Sequence, residues 1–266
     1  MAAGLQFVSD VHLEDKPQDF DLPPWLAPQT THLAVPGDLC PLDRPRRWVP
    51  FLQKLSKMWP HIYWVNGNHE LYSTTTPVPQ LLAEQKHLVA RDLPRVRVLD
   101  RDAVHVEGHD WTVLGATLWS YVPRQHAATV STRVADYKSI YVSDPKASSL
   151  RLATVEDTNQ WHMRDCRWLS QALRTHAGRK VVVLTHHAPL KENTSHPVYQ
   201  GLPTTSAFAS SQNALFKPNV VCWAFGHTHF PCDFRYRQAR VVSHPVGYNG
   251  EDMSLSSSSF RRPLLF

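Results

Sequence analysis

The chain has 266 residues, a formal net charge of +5, 42% hydrophobic residues and 19% charged residues. That is enough apolar material for one sizeable core, and a single α/β domain over residues 1–266 is expected. No apolar run approaches the ~18 residues of a membrane span, and Lys and Arg form no run of the kind that binds nucleic acid. A modest positive charge suits anionic substrates or acidic protein partners.

Leu5 to Ser9 reads as a first core strand, ending in Asp10-Val11-His12. It starts so soon after Met1 that no room is left for a signal or transit peptide, and the expected location is cytoplasmic. Cys40, Cys166, Cys222 and Cys232 are spread without a C-x-x-C pair, which is a reduced pattern and not a disulfide framework. Residues 13–31, with Pro17, Pro23, Pro24 and Pro28, predict a loop. His32 to Val35 predicts a second strand, ending in Pro36-Gly37-Asp38. Trp48, Phe51, Leu52, Leu55 and Trp59 recur at helical spacing, and His61 to Val65 then predicts a buried parallel strand. That strand breaks at Asn66-Gly67-Asn68-His69-Glu70, where an amide, an imidazole and a carboxylate arrive together. A further helix starts near Thr76-Pro77 and carries Leu81, Leu82, Leu88 and Val89 on one face. Alternating strands and helices at this spacing imply βαβ units.

After residue 95 short strands are expected at 96–99 and 103–106, then a turn at Gly108-His109-Asp110 and antiparallel pairing with 111–119. Residues 120–157 are polar and weakly patterned, and a stretch that long predicts a lid or binding segment. A helix through Trp161, Trp168, Leu169 and Leu173 stops near Gly178. Lys180 to Leu184 is the clearest buried strand and ends in Thr185-His186-His187-Ala188-Pro189. Residues 191–213 predict a second lid loop, and Val220 to Phe225 predicts a strand ending in Gly226-His227-Thr228-His229. A hairpin from Cys232 to Ser243 closes the fold at Pro245-Val246-Gly247-Tyr248, and the serine-rich tail from Ser254 to Ser259 reads as loose.

Five strands therefore stop on metal-type ligands: Asp10/His12, Asp38, Asn68/His69, His186/His187 and His227/His229. In an extended segment residues i and i+2 face one side, so D-x-H and H-x-H can each turn two ligands to one centre. Carboxylate, imidazole and amide oxygen suit borderline divalent metals, and the absence of Cys argues against a structural zinc site. One carboxylate can bridge two ions ~3.5–4 Å apart.

The series D-x-H, G-D, G-N-H-E, T-H-H-A-P, G-H-T-H resembles the calcineurin-like metallophosphoesterases, over residues 5 to about 248. The resemblance implies a four-layer αββα sandwich with mixed sheets and a di-metal centre on its loop edge. By motif position, Asp10, His12, Asp38 and His229 would hold one ion, and Asp38, Asn68, His186 and His227 the other. Mn, Fe, Zn and Co are the candidates, with Mn favoured. His69 would lie outside the metal shell as general acid in hydrolysis by metal-activated water. His187 and Glu70 are assigned to substrate contact or to support behind the ligands. The motif set leans to a phosphodiesterase, with 4′-phosphopantetheine on an acidic acyl carrier protein or nucleotide diesters as substrates. A phosphomonoesterase and a non-catalytic scaffold are the alternatives. Two departures stand out: no acidic residue follows Asp38 before Asp43, and Val246 stands where an arginine is usual in the branch.

Overall fold

The computed structural model describes residues 1–144, 147, 149–251 and 262–265. The expected loose tail at Ser254 to Ser259 lies outside the described residues. In chain order the elements begin with β1 (Ala2–Phe7), β2 (Thr30–Pro36), α1 (Pro45–Met58), β3 (His61–Val65), α2 (Val78–Asp92) and β4 (Val96–Val98). These strands, joined at the edge by a late two-residue strand, form a sheet in which β1, β2, β3 and β4 run parallel. Then come β5 (Asp102–His105), β6 (Trp111–Ala116), α3 (Arg124–Arg133), α4 (Asp136–Ser139), β7 (Tyr141–Ser143), β8 (Leu150–Leu152) and α5 (Val155–Thr175). The chain continues through β9 (Lys180–Thr185), β10 (Val220–Phe225), β11 (Cys232–Tyr236), β12 (Ala239–Ser243) and β13 (Leu264–Leu265), the last being the antiparallel edge partner of β1.

The second sheet has the order β11-β12-β10-β9-β6-β5. The antiparallel pairing expected after residue 95 is confined to its two edges, β5 with β6 and β11 with β12. Its four central strands are parallel.

Strand periodicity builds the layers. In β3, Ile62 and Trp64 point to one face and pack with Trp48, Leu52 and Leu55 of α1 and Leu81 and Val89 of α2. Tyr63 and Val65 point the other way and meet Val182, Leu184, Cys222 and Ala224 of the second sheet. On the far side Val181, Val183, Trp223 and Phe225 pack against Leu169, Ala172 and Leu173 of α5. The layers are helix, sheet, sheet, helix, as the αββα expectation required. The two sheets approach so closely that a Cβ on Gly115 would sit 2.3 Å from the Leu99 Cβ, so only glycine fits there.

Residues 120–157 are more ordered than their composition suggested. They hold α3, α4 and the β7–β8 hairpin, pinned by Val122, Val130, Val134 and Tyr137 around Ala207 and by Ile140 beside Leu71 and Trp119. Helix α5 starts at Val155, ahead of its apolar stripe, because Thr154 and Asp157 form a reciprocal capping box. Residues 13–31 are likewise not all loop, since single 3-10 turns occupy 13–15 and 24–26. The four cysteines are free thiols. Among the described residues no helix is long and apolar enough to cross a membrane.

Candidate active site

The carboxyl ends of β1, β2, β3, β9 and β10 open onto one edge of the sandwich, where open α/β sheets place their ligands. The loop after β1 and the loop after β12 are stitched together there. Ser9 N–H donates to His244 O, Val246 N–H to Ser9 O and Gly247 N–H to Asp10 O. This seam carries Tyr248 to the same edge.

The D-x-H and H-x-H segments do not converge by being extended. Asp10 (φ 52°), His12 (φ 49°), Asp38 (φ 54°), His227 (φ 68°) and His229 (φ 50°) all lie in the left-handed region. For residues other than glycine that conformation is costly, and such strain collects at functional sites. The chain turns sharply at each of these residues. The H-x-H pair is split as a result, His227 going to one cluster and His229 to the other.

One cluster is Asp10, His12 and His229, and another is Asp38, His186 and His227, each with its candidate ligand atoms within 4.8 Å of one another; a third such group, His12, Glu14 and His69, adjoins the first through His12. Asp38 lies between the first two: Oδ1 is 3.2 Å from His186 Nε2 and Oδ2 is 3.7 Å from His12 Nε2. Asn68 Oδ1 is 2.9 Å from His186 Nε2. Its amide nitrogen donates to Asp136 Oδ1 (2.8 Å) and Tyr72 Oη (3.1 Å), so the oxygen is turned to the cluster and the nitrogen away. Gly67 is obligatory beneath it, because a Cβ there would meet Asp38 Oδ1 at 2.2 Å.

The donor set fits cations. His227 Nε2 is buried without a hydrogen-bond partner, an arrangement that costs free energy unless something binds it. Burial and the neighbouring His187 and His186 hold His227 well below the ordinary imidazole range, leaving its nitrogen a neutral donor pair. Burial opposes the charge of Asp38, but His186 and His69 beside it keep its carboxyl well below the usual carboxylate range. These His and Asp clusters fit a dinuclear metal site.

A family model of calcineurin-like phosphoesterases matches residues 6–231. The chain belongs to the calcineurin-like phosphoesterase family. Among similar proteins is the uncharacterized protein L509 of Acanthamoeba polyphaga mimivirus, 26% identical, over 93% of this chain and 92% of that protein. Among solved structures, the phosphopantetheinyl hydrolase PptH of Mycobacterium tuberculosis matches with a TM-score of 0.69 and 20% identity, covering 99% of this chain and 96% of that one. A putative 5′-nucleotidase of Staphylococcus aureus matches with a TM-score of 0.51 and 16% identity, over 100% of this chain and 53% of that one. These structural likenesses show a shared fold. Membership in the calcineurin-like family supports a metal-dependent phosphoesterase hydrolase.

In this phosphoesterase, His69 stands beside both clusters. Its Nδ1 is 2.8 Å from Glu14 Oε1, its Nε2 is 3.2 Å from Tyr248 Oη, and its backbone N–H donates to Asp38 Oδ1. Burial disfavours its charge, but Asp38 and the hydrogen bond to Glu14 raise it to about 9. Glu14 also lies 3.0 Å from His12 Nδ1. Burial opposes its charge, and the two imidazoles bring its carboxyl down to about 2. Sequence reasoning missed Glu14, and the signal available was its spacing in Asp10-x-His12-x-Glu14. It also missed Asp136, Tyr72 and the pairing of Glu251 Oε2 with His229 Nδ1 at 2.7 Å.

Glu70 does not reach the cleft. Fully buried, it accepts the backbone N–H groups of Asp38 (3.0 Å), Leu39 (2.7 Å) and Gly67 (2.6 Å), tying the second and third loops together. His187 is packed behind His227, with ring centroids 4.1 Å apart, and its Nδ1 is 3.1 Å from Ser120 Oγ. Above the clusters lies a cleft of about 480 Å³. Both segments expected as lids contribute to it, through Arg133 to Asp136 and through Ser195, Tyr199, Thr204, Thr205 and Phe208.

Proposed function

We propose that the chain is a di-metal-dependent phosphodiesterase. Asp10, His12, Asp38 and His229 would hold one ion, and Asp38, Asn68, His186 and His227 the other. The observation that carries this reading is the carboxylate of Asp38, placed between two clusters that each present imidazole and carboxylate donors. The chemistry supplied by two divalent ions, with Mn favoured among Mn, Fe, Zn and Co, is acidification of water and neutralisation of phosphoryl charge.

The chain's own residues supply the rest. Glu14 accepts from His69 Nδ1 and fixes the ring so that Nε2 faces the cleft. The proton held there is given to the leaving oxygen, and Tyr248 Oη keeps the imidazole in place until substrate displaces it. Glu70 holds the loops that aim Asp38, and Asp136 with Tyr72 aims Asn68. The lid segments at 120–157 and 191–213 close the cleft around the substrate within the single domain.

A diester is favoured over a monoester by the resemblance of the motif set, and among the described residues Arg133 is the one Lys or Arg in the lining of the cleft, so charge on the reacting phosphoryl group falls to the two ions. The substrates we place first are a 4′-phosphopantetheine arm on an acidic carrier protein, in keeping with the name of the M. tuberculosis hydrolase and a net charge of +5, and nucleotide diesters. The setting we propose for it is the cytoplasm.

The test is hydrolysis of bis(p-nitrophenyl) phosphate against p-nitrophenyl phosphate by Mn²⁺-loaded protein, with Asp38→Asn as control. Diester turnover that disappears in the control is expected. Monoester preference would replace the diesterase with a phosphatase, and two bound metals with no turnover of either would favour a scaffold.

A further inference from the structure

One wall of the cleft is made by the last turn of α3 and by the loop running from Ser195 to Phe208, whose Phe208 ring stacks on His227 with centroids 4.6 Å apart. The two are one packed unit, with Val130 and Val134 against Ala207 and Phe208 and His126 Nδ1 3.3 Å from Ser206 Oγ. Its position relative to the clusters is fixed by Asp136, which holds Asn68. Arg133 is three residues earlier, so its Cα lies within ~11 Å of that anchor, and its side chain adds further reach.

Two features of this wall are unexplained by hydrolysis alone. The acids of the lining are already engaged: Asp38 with His186, Asp136 with Asn68 and Tyr72, Glu251 with His229. Arg133 is exposed to the cleft, and among the described residues no hydrogen bond or ion pair holds its guanidinium. Ser195, only 7% exposed, lines the same cleft with its hydroxyl buried and unpartnered. A free cationic fork and an unsatisfied hydroxyl on one wall ask for an anion with several acceptor oxygens.

We propose that Arg133 and Ser195 form a subsite for a second phosphate of the substrate, separate from the phosphodiester that is cleaved. This rests on the phosphodiesterase reading and, of its two substrate classes, favours nucleotide diesters that carry a further phosphate, since a phosphopantetheine arm on a carrier protein has only the phosphate that is cleaved. Arg133 grips two oxygens of that phosphate, and Ser195 Oγ donates to a third.

The test uses two matched chromogenic diesters, the p-nitrophenyl ester of thymidine 5′-phosphate with and without a 3′-phosphate, on the Mn²⁺-loaded full chain. The 3′-phosphate should lower KM by about 10- to 100-fold, the range of one or two charge-assisted hydrogen bonds. Arg133→Ala should bring that ratio to near one, Arg133→Lys should keep part of it, and Ser195→Ala should reduce it several-fold. Arg167→Ala, on the exposed face of α5, should keep it whole. No preference in the unaltered protein would overturn the subsite. Equal weakening of both esters by Arg133→Ala would also overturn it, placing the guanidinium on the reacting phosphate. If neither ester is cleaved, the phosphodiesterase reading fails separately, and calorimetry decides the subsite. Deoxythymidine 3′,5′-bisphosphate should then bind more tightly than the 5′-monophosphate, and Arg133→Ala should abolish the difference, whereas equal binding in the unaltered protein would overturn the subsite.

Discussion

The two clusters are built from the same residue types but held in different ways. In the Asp38/His186/His227 cluster all three residues are buried, and His186 Nδ1 leans on a backbone carbonyl, Pro36 O, at 2.9 Å. In the Asp10/His12/His229 cluster the imidazoles lean on carboxylates, Glu14 and Glu251, and His229 is partly exposed. A carboxylate behind an imidazole raises its basicity, while exposure eases exchange with solvent. The inner cluster is buried throughout, and the outer one is backed by carboxylates and partly exposed at His229 alone. From this we expect the inner ion to be retained through dialysis and the outer ion to exchange.

The sharpest way to break the comparison is at Asp38, which lies between the two clusters. Asp38→Asn should bring turnover to background and weaken both metal equivalents, as read by elemental analysis of the desalted protein. Retention of both would show that Asp38 bridges nothing. His69→Ala should leave both equivalents bound while lowering the rate ~10²–10⁴-fold. Because a general acid must carry its proton, the rate of the unaltered enzyme should fall as pH rises through the pKa of His69. That alkaline limb should vanish in His69→Ala.

Smaller changes should separate the clusters. Glu251→Gln removes the support of His229 and should weaken the outer ion alone by roughly 10–100-fold. A matching loss at the inner ion in competition titrations with a chelator would mean the two sites are one cooperative unit. Smallest of all, Thr154→Ala removes the cap of α5, far from either cluster, and should cost about 1 kcal/mol. Melting should shift by about 2–4 °C with metal content and rate untouched.

Much of this was legible in the sequence because each motif comes directly after a strand whose apolar pattern is unambiguous. Ile62 to Val65 and Val181 to Leu184 announce buried strands, and the turn leaving a buried parallel strand lies at its ligand-binding end. The way the motifs converge was not legible. Left-handed turns at Asp10 and His227 have no glycine to mark them, so alternation along an extended chain stood in for a geometry that is kinked. Residues 120–157 were also underread, because α3 buries little beyond Val130 and gives no periodic stripe. Glu14 and Asp136 escaped notice because a supporting carboxylate obeys no motif of its own, and only folding brings them to His69 and Asn68.

The left-handed backbone at Asp10, His12, Asp38, His227 and His229 has a consequence for how such a chain would age. An L-residue there costs about 1–2 kcal/mol relative to its right-handed form, somewhat less for Asp and His, whereas glycine takes the conformation freely. On the di-metal reading proposed above, holding the two ions is what would keep side chains at these positions. A descendant released from that requirement would gain folding stability by drifting to glycine at these positions. Glycines at 10, 12, 38, 227 and 229, in an otherwise intact sandwich, would be the mark of a retired hydrolase.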